Sequence, residues 1–155
     1  MEEDAVIARI NSAFCSVPRP PKESITDCTC WECMEIRDDF AEQDPDELDA
    51  DRMSYHCWDM TFLTPEARHY FLPGWMRLGI RQPERAYAEA VIELLAGGEG
   101  WEEPTRYSHD QRQAIVDFLD LIRTRNGDRF DEVLEAVWKY WSETGNEEFG
   151  SGPGE

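Results

Sequence analysis

Apolar residues recur along most of the chain at intervals of three and four, which is the spacing of one face of an α-helix. The first such stripe consists of Val6, Ile7, Ile10, Phe14 and Val17. Strand-like patterning is weak, and the short run at 60–63 is the one candidate for a strand. The pattern therefore predicts an all-α fold with five to six helices.

Capping and breaking residues mark the boundaries of these helices. The prolines within 18–21 end the first helix, because proline lacks the amide donor and restricts the residue before it. Thr64 and Ser108 each precede an apolar-periodic stretch as hydroxyl caps, and Pro65 occupies a first helical position. Further helices are predicted over 30–40, 83–95 and 130–141, and a loop or a single turn is predicted over 41–52. The predicted core includes Phe71, Phe118, Leu119 and Trp138.

The length of the chain suits one domain with a sizeable core, since 155 residues is an ordinary domain size. We predict a single compact helical domain over residues 1–145, which includes an irregular N-terminal segment carrying cysteines. Residues 146–155, rich in glycine and acids, are predicted to form a flexible C-terminal tail. Six tryptophans support a folded core, because disordered acidic chains are poor in aromatic residues.

The charge of the chain is strongly negative and unevenly distributed. Thirty-four acidic residues stand against fifteen basic ones, a net charge of −19. Such a chain repels nucleic acid and anionic membranes, because both are bound through Lys and Arg. Ten acids and one base, Arg37, fall within residues 32–51. The acids of this block are Glu32, Glu35, Asp38, Asp39, Glu42, Asp44, Asp46, Glu47, Asp49 and Asp51.

An acidic block of this kind either keeps a protein soluble or binds a positively charged partner. The motif H-E-x-x-H, glycine-rich phosphate loops and G-x-S-x-G are all absent from the sequence. We therefore expect a non-enzymatic acidic binding protein that neutralises or docks a basic protein, a toxin or an enzyme, as immunity proteins and inhibitors do. Another hypothesis is an enzyme that uses a cysteine or a carboxylate pair.

Trp101 stands in a connector rich in glycine and acidic residues, where no core face is evident. Tryptophan is enriched among the residues that dominate binding at protein interfaces. We therefore predict that Trp101 binds the partner together with the acidic block. The alternative is that its ring folds back onto the protein as a plug.

The cysteines suggest a metal site built from two segments. Cys28, Cys30 and Cys33 lie within six positions, and His56 and Cys57 follow as neighbours. Zinc takes four tetrahedral ligands from cysteine and histidine. The spacing predicts one structural zinc held by the three early cysteines and either His56 or Cys57. On this hypothesis the chain is a small zinc-stabilised interaction module.

Two other roles for the cysteines stay open at this stage. Buried free thiols behave as small hydrophobic side chains, and redox or disulfide chemistry is the remaining alternative. Cys15, beside Phe14 on the first helix, is predicted to belong to the core. The acidic N-terminus lacks the basic region of a secretory signal, so we expect a cytoplasmic location, where thiols stay reduced.

Several motifs together resemble a bacterial family of small acidic proteins of unknown function. They are PRP at 18–20, C-x-x-C at 30–33, FLTPEARHYFLPGW at 62–75, SHDQR at 108–112 and W-x-Y-W at 138–141. The resemblance covers roughly residues 10–142 and implies helix starts at the FLTPE and SHDQR segments. It implies no activity, cofactor or catalytic residue.

Overall fold

The computed structural model describes residues 2–44, 48, 50–96 and 102–150. Within these residues it contains seven α-helices and no β-strand beyond an isolated antiparallel bridge between Thr26 and Leu63. The predicted all-α class is therefore confirmed. The helices are α1 (Glu3–Phe14), α2 (Trp31–Glu42), α3 (Ala50–Tyr55), α4 (Pro65–Arg81), α5 (Tyr87–Leu95), α6 (His109–Asn126) and α7 (Glu132–Gly150).

Contacts divide the chain into two units, Ser16–Leu94 and the combination of Met1–Cys15 with Leu95–Glu155. The domain bounds predicted at 145 and 146 stay a prediction. The last helix, α7, continues to Gly150 rather than ending at Trp141, and residues 151–155 lie outside the described part. None of the described helices is both long enough and apolar enough to cross a membrane.

In the unit formed by the chain ends, α6 packs against both α1 and α7. The predicted stripe of α1 is inward-facing, with Val6 and Ile10 fully buried. Phe118 and Leu119 of α6 are fully buried as well, as the periodicity predicts. Trp138, predicted to be core, is instead half-buried, and the guanidinium of Arg123 lies 4.0 Å from its ring centroid.

A capping box starts α6 at the predicted residue. The Ser108 hydroxyl accepts a hydrogen bond from the Gln111 backbone N–H at 3.1 Å, and the Gln111 side-chain oxygen accepts one from the Ser108 N–H at 3.0 Å. Both amides would otherwise lack an intrahelical partner. Gly127 ends the helix with a φ of 58°, a conformation that residues with a side chain rarely adopt.

In the unit Ser16–Leu94, α4 runs through the interior, because every residue from 71 to 80 is buried. Its predicted start is confirmed: the Thr64 hydroxyl accepts a hydrogen bond from the Ala67 N–H at 3.1 Å, and Pro65 follows at the first helical position. Gly79 lets α5 approach closely, since a Cβ there would lie 3.2 Å from the backbone of Ala88.

Two short segments differ from the sequence prediction. Residues 60–63, the candidate strand, contribute to a 3-10 turn at Asp59–Phe62, and Leu63 pairs with Thr26 through the isolated bridge. Residues 41–52 are predicted to be a loop or a single turn, but α3 begins within them at Ala50. Runs of four to six residues are too short for periodicity to assign a helix or a strand.

Candidate functional site

The helix α2 carries half of the acids of the acidic block on a firmly packed scaffold. Cys33, Ile36 and Phe40, spaced by three and four, are buried. The Phe40 ring stacks on Trp75 at a centroid distance of 5.3 Å and meets the edge of Phe71 at 5.0 Å. Because this stripe faces inward, the acids between its members lie at the exposed and half-buried positions of the helix.

The predicted partner-binding acids are distributed over three described segments. Glu32, Glu35, Asp38, Asp39 and Glu42 belong to α2, Asp44 follows it, and Asp51 lies in α3. The remaining predicted partner-binding residues, Asp46, Glu47, Asp49 and Trp101, lie outside the described residues. The structure therefore places five of the acids on a single helix.

A cavity of about 380 Å³ opens beside the first turns of α2. Three aromatic side chains border it with large exposed fractions: Trp31 at 72%, Tyr55 at 70% and Phe62 at 46%. The complete lining comprises Trp31, Glu32, Glu35, Ile36, Tyr55, His56, Asp59 and Phe62. The cavity thus combines carboxylates with exposed aromatic rings.

His56 lies between two carboxylates at this cavity. Its Nε2 is 2.6 Å from an Asp39 oxygen and its Nδ1 is 2.8 Å from an Asp59 oxygen. The side chain is 1% exposed, and the Phe40 ring packs 5.6 Å from it. When both nitrogens carry protons, the ring donates to both carboxylates. This arrangement links α2 to the 3-10 turn at Asp59–Phe62.

The acids of α2 differ in how they are neutralised. Lys22 lies 3.0 Å from Asp38, and Arg52 lies 3.5 Å from Glu42, both as surface ion pairs. By contrast, no base in the described part of the chain forms an ion pair with Glu32 or Glu35, the two acids of α2 that line the cavity.

Neighbouring contacts leave the negative charge of the cavity in place. Arg37, the one base within α2, directs its guanidinium to the Thr26 hydroxyl and carbonyl. The hydrogen bond between Tyr55 and Glu35 raises the pKa of the Tyr55 phenol, and the negative charge of Glu35 adds to the effect. Tyr55 therefore stays neutral at physiological pH, so that it can donate to the Glu35 carboxylate.

Three of the predicted metal ligands come together at the start of α2. The sulfur atoms of Cys28, Cys30 and Cys33 all lie within 4.8 Å of one another. Cys30 occupies the N-cap position of α2, and its backbone N–H donates to the Cys28 sulfur at 3.3 Å. The Thr26 hydroxyl donates a hydrogen bond to the Cys33 carbonyl oxygen at 3.3 Å, which links residue 26 to the first turn of α2.

The three sulfurs fit a tetrahedral metal ion with little rearrangement. Zinc–sulfur bonds of about 2.3 Å imply sulfur atoms about 3.8 Å apart around a tetrahedral ion. The backbone N–H of Cys33 lowers the pKa of the Cys30 thiol, and a hydrogen bond with Cys28 acts in the same direction. Burial, followed by the two neighbouring thiols, raises the pKa of Cys33 to about 12.

The other two predicted ligands do not join this group. Both ring nitrogens of His56 are engaged by carboxylates. Cys57 is buried, its burial raises the pKa of its thiol, and its carbonyl accepts a hydrogen bond from the Trp75 indole at 3.4 Å. Cys15, predicted to be core, is exposed, because it follows the last turn of α1 rather than continuing its buried stripe.

The aromatic border of the cavity was not predicted from the sequence. In the sequence, Tyr55 precedes His56 and Phe62 follows it. Both lie on segments that are too short for periodicity to predict their secondary structure. One usable signal was the spacing of three between His56 and Asp59, which suits a side-chain hydrogen bond within a single turn.

Comparison with known proteins gives a family without an assigned activity. The model of the family of unknown function DUF6714 matches residues 2–145. No curated protein and no solved structure matches the chain. Since the family match spans nearly the whole sequence, the chain belongs to the family of unknown function DUF6714.

Proposed function

We propose that the chain is a non-enzymatic acidic protein that docks a basic protein partner on the face of α2 that borders the cavity. The observation that carries this proposal is the composition of the cavity. Its lining joins Glu32 and Glu35, neither of which forms an ion pair with a base in the described residues, to the exposed rings of Trp31, Tyr55 and Phe62.

Carboxylates beside aromatic faces suit an arginine or lysine side chain. A guanidinium forms charge-assisted hydrogen bonds with carboxylates and stacks on aromatic rings, and an ammonium is attracted to both groups as a point charge. Exposed tryptophan and tyrosine rings also supply apolar contact area at an interface. A partner that presents a basic side chain on a partly apolar surface therefore complements this cavity.

The charge outside the cavity favours the same kind of partner. With a net charge of −19, the chain attracts basic surfaces at long range, and the acids of α2 concentrate that field near the cavity. Complementary charges of this kind accelerate association and exclude acidic partners. The proposed role is immunity-like or inhibitor-like: the acidic face covers a basic functional surface of a toxin or an enzyme.

The simplest probe of this function is a peptide that is rich in Lys and Arg, contains one apolar residue and contains no tryptophan. We expect it to quench or shift the fluorescence of the protein's tryptophans with an affinity that falls about tenfold or more between low and physiological salt, because exposed charges are screened. A peptide with glutamine at each basic position is the control. Equal binding of the two peptides would contradict the proposal.

A second candidate function is that of an interaction module stabilised by one structural zinc ion. The observation that favours it is the approach of the sulfurs of Cys28, Cys30 and Cys33 to within 4.8 Å of one another. Zinc there would fix the segment that precedes α2, and the negative potential of the chain would favour a cation.

Metal analysis and melting temperature test this candidate together. Protein purified with zinc present is expected to carry about one zinc per chain, and a chelator is expected to lower its melting temperature, because the metal binds the folded state. Cys28→Ser should abolish both effects, whereas Cys15→Ser should leave them unchanged. Zinc that is retained by the Cys28→Ser variant, or melting that a chelator does not alter, would contradict the zinc module.

A further inference from the structure

We infer that the three-cysteine site, if the second candidate function holds, binds a thiophilic cation through three thiolates and leaves one coordination position for a ligand from outside the chain. The inference rests on which side chains are near the sulfurs of Cys28, Cys30 and Cys33 and which are engaged elsewhere. It extends the zinc proposal from the presence of a metal to the way in which the site is completed.

The described residues supply three ligands and no fourth. Among them, no further histidine, cysteine or acidic side chain places a ligand atom in the cluster formed by the three sulfurs. His56 hydrogen-bonds with Asp39 and Asp59 through its two ring nitrogens. To bind the ion, His56 would have to give up one of these hydrogen bonds to a carboxylate, which the coordination bond would have to offset.

The position of the cluster makes an external ligand accessible. Cys28 and Cys30 are exposed, whereas Cys33 is 2% exposed and anchors the site to the core. All three come from one six-residue segment, so they can contact only one side of an ion. Zinc with three protein ligands keeps its fourth position for water or another molecule, whereas a closed structural site uses four protein ligands.

The ligand set also defines the class of cation. Three thiolates are soft donors, which select Zn²⁺, Cd²⁺ or Cu⁺ over Mg²⁺ and Ca²⁺. The neighbouring acidic side chains are hard donors that add attraction without changing this preference. The external ligand is therefore expected to be a thiol or an imidazole, whether from a small molecule or from a side chain of a docked protein.

Cobalt substitution tests the open position directly. Reduced, metal-free protein in a non-thiol reductant is loaded with Co²⁺, whose visible bands report tetrahedral geometry and whose thiolate charge-transfer band grows with the number of bound thiolates. We expect a free thiol to increase the charge-transfer band and imidazole to shift the visible bands. Cys57→Ser and Cys57→Ala should leave the starting spectrum unchanged, and Cys28→Ser should abolish it.

The outcomes separate this inference from the zinc proposal. A cobalt spectrum that does not change when thiol or imidazole is added would show a closed site with four ligands from the chain. A loss of intensity in both Cys57 variants would show the same. That result would overturn the open position and leave the zinc module intact. The absence of any cobalt, cadmium or zinc binding by reduced, folded protein would overturn both. Cys15→Ser is the matched control for loss of a thiol.

Discussion

Replacing Phe40 by alanine is expected to lower the free energy of unfolding by about 3–5 kcal/mol, the range for truncating a fully buried phenylalanine. Phe40 has no exposed surface, stacks on Trp75 and meets the edge of Phe71. It also packs against His56, so its removal leaves a void beside the carboxylate-bound ring. The cost arises from lost apolar contacts and from the cavity that remains.

Urea denaturation followed by tryptophan fluorescence and by far-UV circular dichroism measures this cost. Phe130→Ala is the matched control, because the same substitution at a side chain that is 79% exposed should change stability by about 0.5 kcal/mol or less. If Phe40→Ala costs no more than the control, the buried face of α2 is assigned wrongly. The acids that we place on the opposite face would then be misplaced as well.

Helices with a strong start signal were predictable from the sequence. A hydroxyl cap followed by a periodic apolar stretch satisfies an otherwise unpaired amide and buries a continuous face at the same time. Thr64 and Ser108 both meet this condition, and α4 and α6 begin directly after them. The same periodicity correctly identified Ile10, Phe71 and Phe118 as buried.

The candidate site was predictable only in part, because it depends on contacts between segments. Close spacing is enough to bring Cys28, Cys30 and Cys33 together, whereas the contact partners of His56 and Cys57 depend on how α2 packs against the segment 50–62. The cavity has the same origin, because Trp31 of α2 and Tyr55 of α3 both line it. Trp138 fits the helical stripe but lies at its edge, beneath Arg123.

Neutralising four acids of α2 is expected to weaken binding of a basic partner by about tenfold to a thousandfold, the range through which electrostatic steering changes association. The test variant replaces four carboxylates by amides of the same shape, while Asp39 is retained because it holds His56. Its substitutions are Glu32→Gln, Glu35→Gln, Asp38→Asn and Glu42→Gln.

A second variant with the same change in net charge separates the α2 face from the overall charge. It neutralises exposed acids on other helices and in the loop before α5. Its substitutions are Glu66→Gln, Glu84→Gln, Glu93→Gln and Asp110→Asn. Both variants lose four negative charges, so a general attraction between an acidic protein and a basic probe should weaken equally in the two. A specific face on α2 should weaken only in the first.

The most direct test of the docking face is the association rate of the Lys- and Arg-rich peptide with the three proteins, measured by stopped-flow fluorescence at low and at physiological salt. We predict fast association that salt slows for the unmodified chain and for the variant with substitutions outside α2. The α2 variant should associate at least about tenfold more slowly at low salt and show a weaker salt dependence. Equal rates for the two variants would contradict a binding face on α2 and would attribute the attraction to net charge alone.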